Sequence, residues 1–149
     1  MYSYISKCEE DTKELAKKIA PMLKKGDVII LTGELGAGKT KFTEGILTYF
    51  GLENEISSPT FTIVNEYTKN DVNIYHFDVY RLADLDEFYA IGGEEYFEKG
   101  ISIIEWGETI KEALPKERIE IKFEKYKDNE NYRNINIYLT SKYEDKIIL

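Results

Sequence analysis

Residues 33–40 have the sequence GELGAGKT, a complete phosphate-binding loop of the form G-x-x-x-x-G-K-[ST]. An apolar run, residues 28–31, precedes the loop, and a helix-like stretch, residues 42–47, follows it. The glycines let the backbone turn its N–H groups toward an anion, and a helix N-terminus adds its positive dipole end. Lys39 can reach the β- and γ-phosphates, and the Thr40 hydroxyl can take a Mg²⁺ position. The loop and its context therefore predict binding of a nucleoside triphosphate.

The composition is that of a protein with a substantial core, since 42% of the 149 residues are hydrophobic and 13% are aromatic. A chain of this length suits a single domain, residues 1–149. Its apolar runs are far shorter than the ~20 residues of a membrane span, and the N-terminus lacks a secretory signal pattern. We therefore expect a cytoplasmic protein without a membrane partner. Cys8 is the single cysteine, which excludes an internal disulfide, and we expect it to be a small buried residue.

The charge balance favours protein partners. With 28 acidic and 20 basic residues the net charge is −8, so the overall field repels polyanions such as tRNA or DNA. Five lysines form a basic helix face at best, and we interpret them as solvated surface. They are Lys13, Lys17, Lys18, Lys24 and Lys25.

The first part of the chain has the pattern of a strand followed by a helix. Residues 2–6 alternate as a strand, and residues 11–14 have the D-x-x-E form of a helix start, with Asp11 as the cap. A helical stripe of apolar residues follows, over residues 15–23. Pro21 predicts a kink or an early break, and Gly26 is a plausible C-terminal cap.

The rest of the chain alternates strands and helices. We expect a strand at residues 28–32, then the loop and a helix to Tyr49 or Phe50. We also expect a hairpin of residues 61–67 and 72–79, short helices at 84–89 and 94–97, a strand at 101–104, a helix ending near 114–115, and an antiparallel pair, 119–126 with 133–139. This order predicts an α/β fold, a P-loop NTPase domain with a mixed parallel and antiparallel sheet flanked by helices.

Two carboxylates stand where apolar strands end, Asp78 and Glu105. Side chains at the carboxyl ends of strands in an open α/β sheet face the ligand crevice. A P-loop needs such a carboxylate to orient Mg²⁺ and its waters, so both are candidates. Residues 57–60, with the sequence SSPT, are either a plain turn or a nucleotide-sensing loop whose Thr60 contacts Mg²⁺ or the γ-phosphate.

Three further residues each have a structural and a functional interpretation. His76, the only histidine, is more consistent with a packed, hydrogen-bonded residue than with a general base. Arg81 can pair with a phosphate or with an acid such as Asp84. Trp106 belongs either to the core or to a surface beside the nucleotide.

Residues 68–71, with the sequence TKND, match the guanine-reading form T-K-x-D of GTPases. They fall in a predicted hairpin turn soon after the P-loop, whereas a guanine reader would follow a late parallel strand. We therefore interpret them as a turn and expect adenine to be the base.

Four motifs together resemble the bacterial TsaE-type ATPases, which act in making threonylcarbamoyladenosine at tRNA position 37. They are GELGAGKT (33–40), SPTF (58–61), HFDVYRL (76–82) and IEW (104–106), and they occur in the family's order and spacing. The resemblance covers nearly the whole chain. Three departures, at Glu34, Lys41 and Gly107, remove no phosphate or metal ligand.

The resemblance implies a role for each motif. It implies that Thr40 and Glu105 hold Mg²⁺, and that Asp78, Lys39 and Thr60 act in catalysis, Asp78 as the water-orienting carboxylate. The nucleotide-binding residues that it implies are Thr12, Gly33, Gly36, Ala37, Gly38, Lys39, Thr40, Trp106 and Arg133.

The resemblance also implies an activity: a Mg²⁺-dependent ATPase, weak alone and activated by two tRNA-modification subunits, the TsaB- and TsaD-like proteins. Contact with tRNA would be only indirect. The cofactors implied are ATP and Mg²⁺. The alternatives are a P-loop small-molecule kinase and a non-hydrolysing nucleotide sensor.

Overall fold

The computed structural model describes residues 1–34, 36–53, 64–79 and 84–144. Within these ranges the strands form one sheet in the order β1-β7-β6-β2-β5-β4-β3. The strands are β1 (Tyr2–Ser6), β2 (Val28–Gly33), β3 (Val64–Lys69), β4 (Val72–Asp78), β5 (Ile101–Glu105), β6 (Ile119–Lys125) and β7 (Arg133–Leu139). The helices are α1 (Glu9–Ile19), α2 (Lys39–Tyr49) and α3 (Leu85–Ala90), with 3₁₀ segments at Ala20–Met22, Gly93–Glu98 and Gly107–Ala113.

The sheet mixes parallel and antiparallel pairs. Its centre is parallel, because β2 lies between β5 and β6 and β4 lies beside β5, all in parallel register. The outer pairs, β3 with β4, β6 with β7, and β1 with β7, are antiparallel. The predicted fold class, a mixed sheet flanked by helices, is confirmed. The extent of the domain, residues 1–149, stays a prediction.

The first helix starts earlier than the sequence pattern predicts. It begins at Glu9 with Cys8 at the N-cap position, so the prediction of Asp11 as the cap is wrong. Asp11 lies in the first turn, and its carboxylate accepts a hydrogen bond from the backbone N–H of Lys7 at 2.9 Å. An acidic side chain there satisfies a free N–H group and complements the helix dipole.

The end of this helix follows from Pro21. The α-helix stops at Ile19, and a 3₁₀ turn carrying the proline follows, as predicted. Gly26 does not cap the helix. It lies in the turn before β2, with φ +98°, and its N–H donates to the carbonyl of Gly100 at 2.9 Å.

Two apolar layers enclose the sheet. One layer lies between the sheet and the α1–α2 pair, which pack directly on each other; its fully buried members include Leu15, Phe42 and Leu31. The other layer lies under α3 and the two later 3₁₀ segments, and it includes Phe77, Phe88 and Ile110. Since successive strand residues face opposite sides, β2 contributes Leu31 to the first layer and Ile30 to the second.

The hairpin of β3 and β4 turns at Asn70 and Asp71, which have positive φ values of 50° and 66°. Both residue types tolerate this backbone conformation, and it is that of the tight turns that join antiparallel strands. The interpretation of residues 68–71 as a turn is therefore confirmed. Within the residues described, no helix is long and apolar enough to cross a bilayer.

Candidate nucleotide site

A cavity of about 780 Å³ opens at the carboxyl ends of β2, β4 and β5. It is the position at which open α/β sheets bind ligands. Most of the predicted site residues line it, although they come from distant parts of the chain. These are Thr12, Gly36, Gly38, Lys39, Thr40, Asp78, Glu105, Trp106 and Arg133.

The P-loop joins the end of β2 at Gly33 to the start of α2 at Lys39. Gly38 is the N-cap of α2 with φ +110°, a backbone conformation that side chains with a Cβ rarely adopt. Its carbonyl accepts a hydrogen bond from the N–H of Phe42 at 3.0 Å, which is the first helical bond. The loop thus positions the N-terminus of an eleven-residue helix at the cavity. The free N–H groups of the first helical turn favour an anion there.

Two of the predicted phosphate-binding residues do not line the cavity. A Cβ on Gly33 would lie 2.5 Å from the carbonyl oxygen of Phe123, so this glycine lets β2 approach β6. Ala37 is fully buried, and its N–H donates to the carbonyl of Glu34 at 3.0 Å. The structure therefore gives both residues a role in shaping the loop. Their role in contacting phosphate stays a prediction.

Lys39 is the cation of the loop, and only 5% of it is exposed. Its Nζ donates a hydrogen bond to the carbonyl of Gly33 at 2.7 Å and lies 4.0 Å from the centroid of the Trp106 ring. Trp106 also packs against the apolar layer under α3. The interpretation of Trp106 as a core residue therefore holds in part, and it also lines the cavity. Its position beside a bound nucleotide stays a prediction.

The two carboxylates lie side by side. β4 and β5 are parallel, and Asp78 is the register partner of Glu105. On β4 the alternation carries Ile74, His76 and Asp78 to one face, and Ile74 belongs to the layer under α1 and α2. Asp78 and Glu105 therefore project on the face from which Lys39 and α2 approach.

His76 bonds one of these carboxylates. Its Nε2 lies 2.7 Å from Oε2 of Glu105, and the two side chains are only 14% and 12% exposed. The interpretation of His76 as a packed, hydrogen-bonded residue is therefore confirmed.

The oxygen donors around the cavity fit magnesium. Thr40 contributes a hydroxyl, while Asp78 and Glu105 contribute carboxylates. Within the described part of the chain, no group of three or more His, Cys, Asp or Glu side chains could hold a metal. Magnesium sites generally use one or two carboxylates, several waters and the phosphates of the substrate.

Thr12 and Arg133 lie on the other side of the loop. The Thr12 hydroxyl shares a buried 2.7 Å hydrogen bond with Ser6 Oγ, which ties the start of α1 to β1. Nη2 of Arg133 donates to the carbonyl of Gly36 at 3.3 Å, and its Nη1 donates to the carbonyl of Tyr132 at 2.8 Å. Arg133 therefore connects the P-loop to the turn between β6 and β7. Contacts of either residue with a base or ribose stay predictions.

The cavity includes residues that sequence reasoning did not assign to it, from the β1–α1 loop, the first turn of α1, α2 and the β6–β7 turn. They are Lys7, Cys8, Glu9, Glu10, Lys41, Glu130 and Asn131. Lys41 directly follows the P-loop motif. No motif marks the others, because the pairing of β1 and β6 with β7 carries their segments to the P-loop. The prediction that Cys8 is buried is wrong: its thiol is exposed, because the N-cap position leaves it at the cavity rim.

Other predicted residues lie outside the described ranges. Thr60 and the rest of the SSPT segment are among residues 54–63, and Arg81 is among residues 80–83. Their roles stay predictions.

A mixed sheet with a GELGAGKT loop between its central strand and a helix defines a protein of the P-loop NTPase fold. A family model described as "Threonylcarbamoyl adenosine biosynthesis protein TsaE" matches residues 6–135. The chain belongs to the TsaE family. Proteins of this family take part in threonylcarbamoyladenosine biosynthesis on tRNA, as their names state.

Curated relatives and a solved structure agree with this family. A Bacillus subtilis protein, "tRNA threonylcarbamoyladenosine biosynthesis protein TsaE", is 44% identical over 122 residues, which cover 81% of this chain and 76% of the relative. A Rickettsia felis protein of the same name is 40% identical over 141 residues, covering 94% and 81%. The crystal structure of Bacillus subtilis YdiB superposes with a TM-score of 0.75 at 35% identity, covering 97% of this chain and 89% of that one.

Proposed function

We propose that this protein is a Mg²⁺-dependent ATPase and an accessory subunit for threonylcarbamoyladenosine modification of tRNA, activated by TsaB- and TsaD-like subunits. One observation carries the ATPase part: Asp78 and Glu105 are register partners on the sheet face that Lys39 and the N-terminus of α2 approach. Membership of the TsaE family supports the pathway.

The division of roles follows from the chemistry of phosphoryl transfer. Catalysis there consists of positioning and charge stabilisation, with little covalent work for the protein. Lys39 and the N-terminus of α2 would hold the phosphates. Thr40 and Glu105 would hold Mg²⁺, which neutralises charge on the phosphates when bound. Asp78 would orient the attacking water, and Thr60 is proposed to assist from its loop.

The charge of the chain supports docking on proteins. With a net charge of −8 it is repelled by tRNA, so we propose that it acts on tRNA only through its partner subunits, in the cytoplasm.

The test is ATP hydrolysis by the purified chain, alone and with the two partner subunits. We expect weak turnover alone and strong stimulation in the complex, abolished in Lys39→Ala and retained in Lys17→Ala. Lys17 is the matched control because it is a partly exposed α1 lysine outside the cavity lining, paired with Glu14 at 3.2 Å. An ATP hydrolysis rate that is the same with and without the partner subunits would overturn the accessory role. Nucleotide-dependent binding to the partners without turnover would indicate a sensor, and phosphorylation of a metabolite would indicate a kinase.

A second test concerns the metal. Glu105→Ala is expected to raise the Mg²⁺ concentration needed for half-maximal hydrolysis, because it removes a carboxylate ligand. An unchanged Mg²⁺ titration would shift the metal role to Asp78.

A further inference from the structure

The contact between His76 and Glu105 joins an imidazole to a carboxylate at the edge of the cavity. The 2.7 Å distance between Nε2 and Oε2 is that of a strong hydrogen bond. His76 is absent from the lining of the cavity, whereas Glu105 is part of it. The imidazole thus bonds a lining carboxylate without itself lining the cavity.

The sheet register fixes this arrangement. His76 is the register partner of Ile103, and Asp78, two residues later, is the partner of Glu105. Ile74 and Ile103 are both fully buried beneath α1 and α2. His76 thus lies between the apolar core and the pair of carboxylates, on strand β4, which cannot shift without breaking its pairing with β5 and β3.

A carboxylate at the end of a strand is free to rotate about its side-chain torsions unless a neighbour holds it. Metal-binding carboxylates are usually hydrogen-bonded by a neighbour that fixes the oxygen facing the ion, and loss of that neighbour typically weakens metal binding 10- to 100-fold. His76 has the distance, the burial and the rigid backbone for such a role.

We infer that His76 is a positioning residue for the metal site: it holds Oε2 of Glu105 so that Oε1 faces the cavity. The inference rests on the proposed assignment of Glu105 as a Mg²⁺ ligand. His76 itself touches neither nucleotide nor metal. Removing its N–H donor is expected to weaken metal binding in the nucleotide complex while leaving metal-free nucleotide binding unchanged.

The experiment measures Mn²⁺ affinity by electron paramagnetic resonance in the ADP complex, and metal-free ADP affinity by calorimetry. His76→Phe keeps a planar ring without a donor, and His76→Gln places an N–H donor near the original Nε2. We expect about a 10- to 100-fold loss of Mn²⁺ affinity in His76→Phe, substantial recovery in His76→Gln, and unchanged metal-free ADP affinity in both. Equal Mn²⁺ affinity in wild type and a folded His76→Phe would overturn the inference.

Glu105→Gln separates this inference from the proposed function. If Glu105→Gln leaves Mn²⁺ affinity unchanged, the metal assignment of Glu105 is wrong. If Glu105→Gln weakens it and His76→Phe does not, only the positioning role is wrong. In the double variant we expect no loss beyond that of Glu105→Gln, because the two residues act through one contact.

A measurement on the unmodified chain covers the case in which His76→Phe does not fold. Since His76 is the only histidine, ¹⁵N-histidine labelling gives one imidazole to follow by NMR. Adding Mg²⁺ to the ADP complex is expected to shift the Nε2 resonance, because the charge of its carboxylate partner becomes shared with the ion. An imidazole spectrum that is identical with and without saturating Mg²⁺ would contradict the inference.

Discussion

The ammonium of Lys39 lies 4.0 Å from the centroid of the Trp106 ring, within the range of a cation–π interaction. Trp106 adopts a left-handed backbone conformation, with φ +66° and ψ 39°, which is uncommon for a large side chain. This strained residue directly follows Glu105, the last residue of β5. The pair thus links the cation of the P-loop to the end of the strand that carries a proposed metal ligand.

Trp106 is expected to report nucleotide binding. It is the only tryptophan, and a bound phosphate would compete with its ring for the Lys39 ammonium. MgATP should therefore change the emission of the wild-type chain, measured by fluorescence titration. Lys39→Ala should change the emission of the free protein, whereas Lys17→Ala should not. Constant emission at nucleotide concentrations that saturate binding by calorimetry would contradict the prediction.

Asp78→Asn is expected to reduce hydrolysis far more than binding. Loss of a group that orients or deprotonates the attacking water costs about 10²- to 10⁴-fold in rate, while the amide keeps the size of the side chain. Single-turnover rates and ATP affinity are the measurements. Asp71→Asn is the control, since Asp71 is exposed in the turn of the same hairpin, where asparagine tolerates positive φ. A fall in affinity with an unchanged rate would give Asp78 a structural or metal-linked role.

Cys8 is expected to react with a maleimide in the native protein, because its thiol is exposed at the cavity rim. MgATP should slow the labelling, since nucleotide in the cavity would cover this rim. Mass spectrometry of the labelled chain over time measures the rate, with Cys8→Ser as the unreactive control. Labelling that requires denaturant would contradict the observed exposure.

Gly45→Ala is expected to destabilise the fold although alanine is the better helix former. A Cβ at Gly45 would lie 2.6 Å from the Cβ of Ala16 and 2.6 Å from the carbonyl oxygen of Lys13, where α1 and α2 cross. Overpacking of this kind costs about 1–3 kcal/mol, against a propensity gain of about 1 kcal/mol. Urea denaturation measures the difference in the free energy of unfolding between Gly45→Ala and the wild type. Adding Ala16→Gly should restore part of the lost free energy of unfolding. A Gly45→Ala variant as stable as the wild type would contradict the predicted clash.

Tyr143→Phe is expected to lower the free energy of unfolding by about 1–3 kcal/mol, the range for a hydrogen bond to a charged group. The Tyr143 hydroxyl donates to Oδ1 of the buried Asp27 at 2.7 Å, which anchors the end of the described chain to the start of β2. Asp27 keeps its bond from the N–H of Lys24 at 2.7 Å, so the variant should still fold.

The same variant has a defined pH dependence. Burial, with the hydrogen bond to Asp27, raises the pKa of Tyr143 above its usual value. Above about pH 10, the ordinary tyrosine pKa, the folded state keeps the Tyr143 proton that the unfolded state loses. The contribution of the Tyr143 hydroxyl to the free energy of unfolding is therefore complete below that pH and declines as the pH rises further. The stability gap between wild type and Tyr143→Phe should therefore narrow above that pH. A constant gap through the alkaline range would contradict the assignment.

Local patterns predicted most of the elements because they depend on neighbours in the chain. The alternation of residues 2–6, the break at Pro21 and the turn at Asn70 and Asp71 are each properties of a few consecutive residues, and the structure contains all three. The prediction of where α1 starts was wrong because an acidic residue near a helix start fits two different positions. Asp11 can either cap a helix or lie in its first turn, and in the structure it lies in the first turn and accepts a hydrogen bond from the N–H of Lys7.

The sequence by itself determined the P-loop, its strand–helix context and the two carboxylates at strand ends, because each depends on residue type and spacing along the chain. The tertiary structure alone decided which residues meet. The parallel register of β4 and β5 makes Asp78 and Glu105 neighbours and brings His76 to within 2.7 Å of Glu105, and the strand order brings Cys8 to the same cavity as Lys39. These contacts join residues far apart in the chain, and only burial and strand pairing acting on the whole sheet select them.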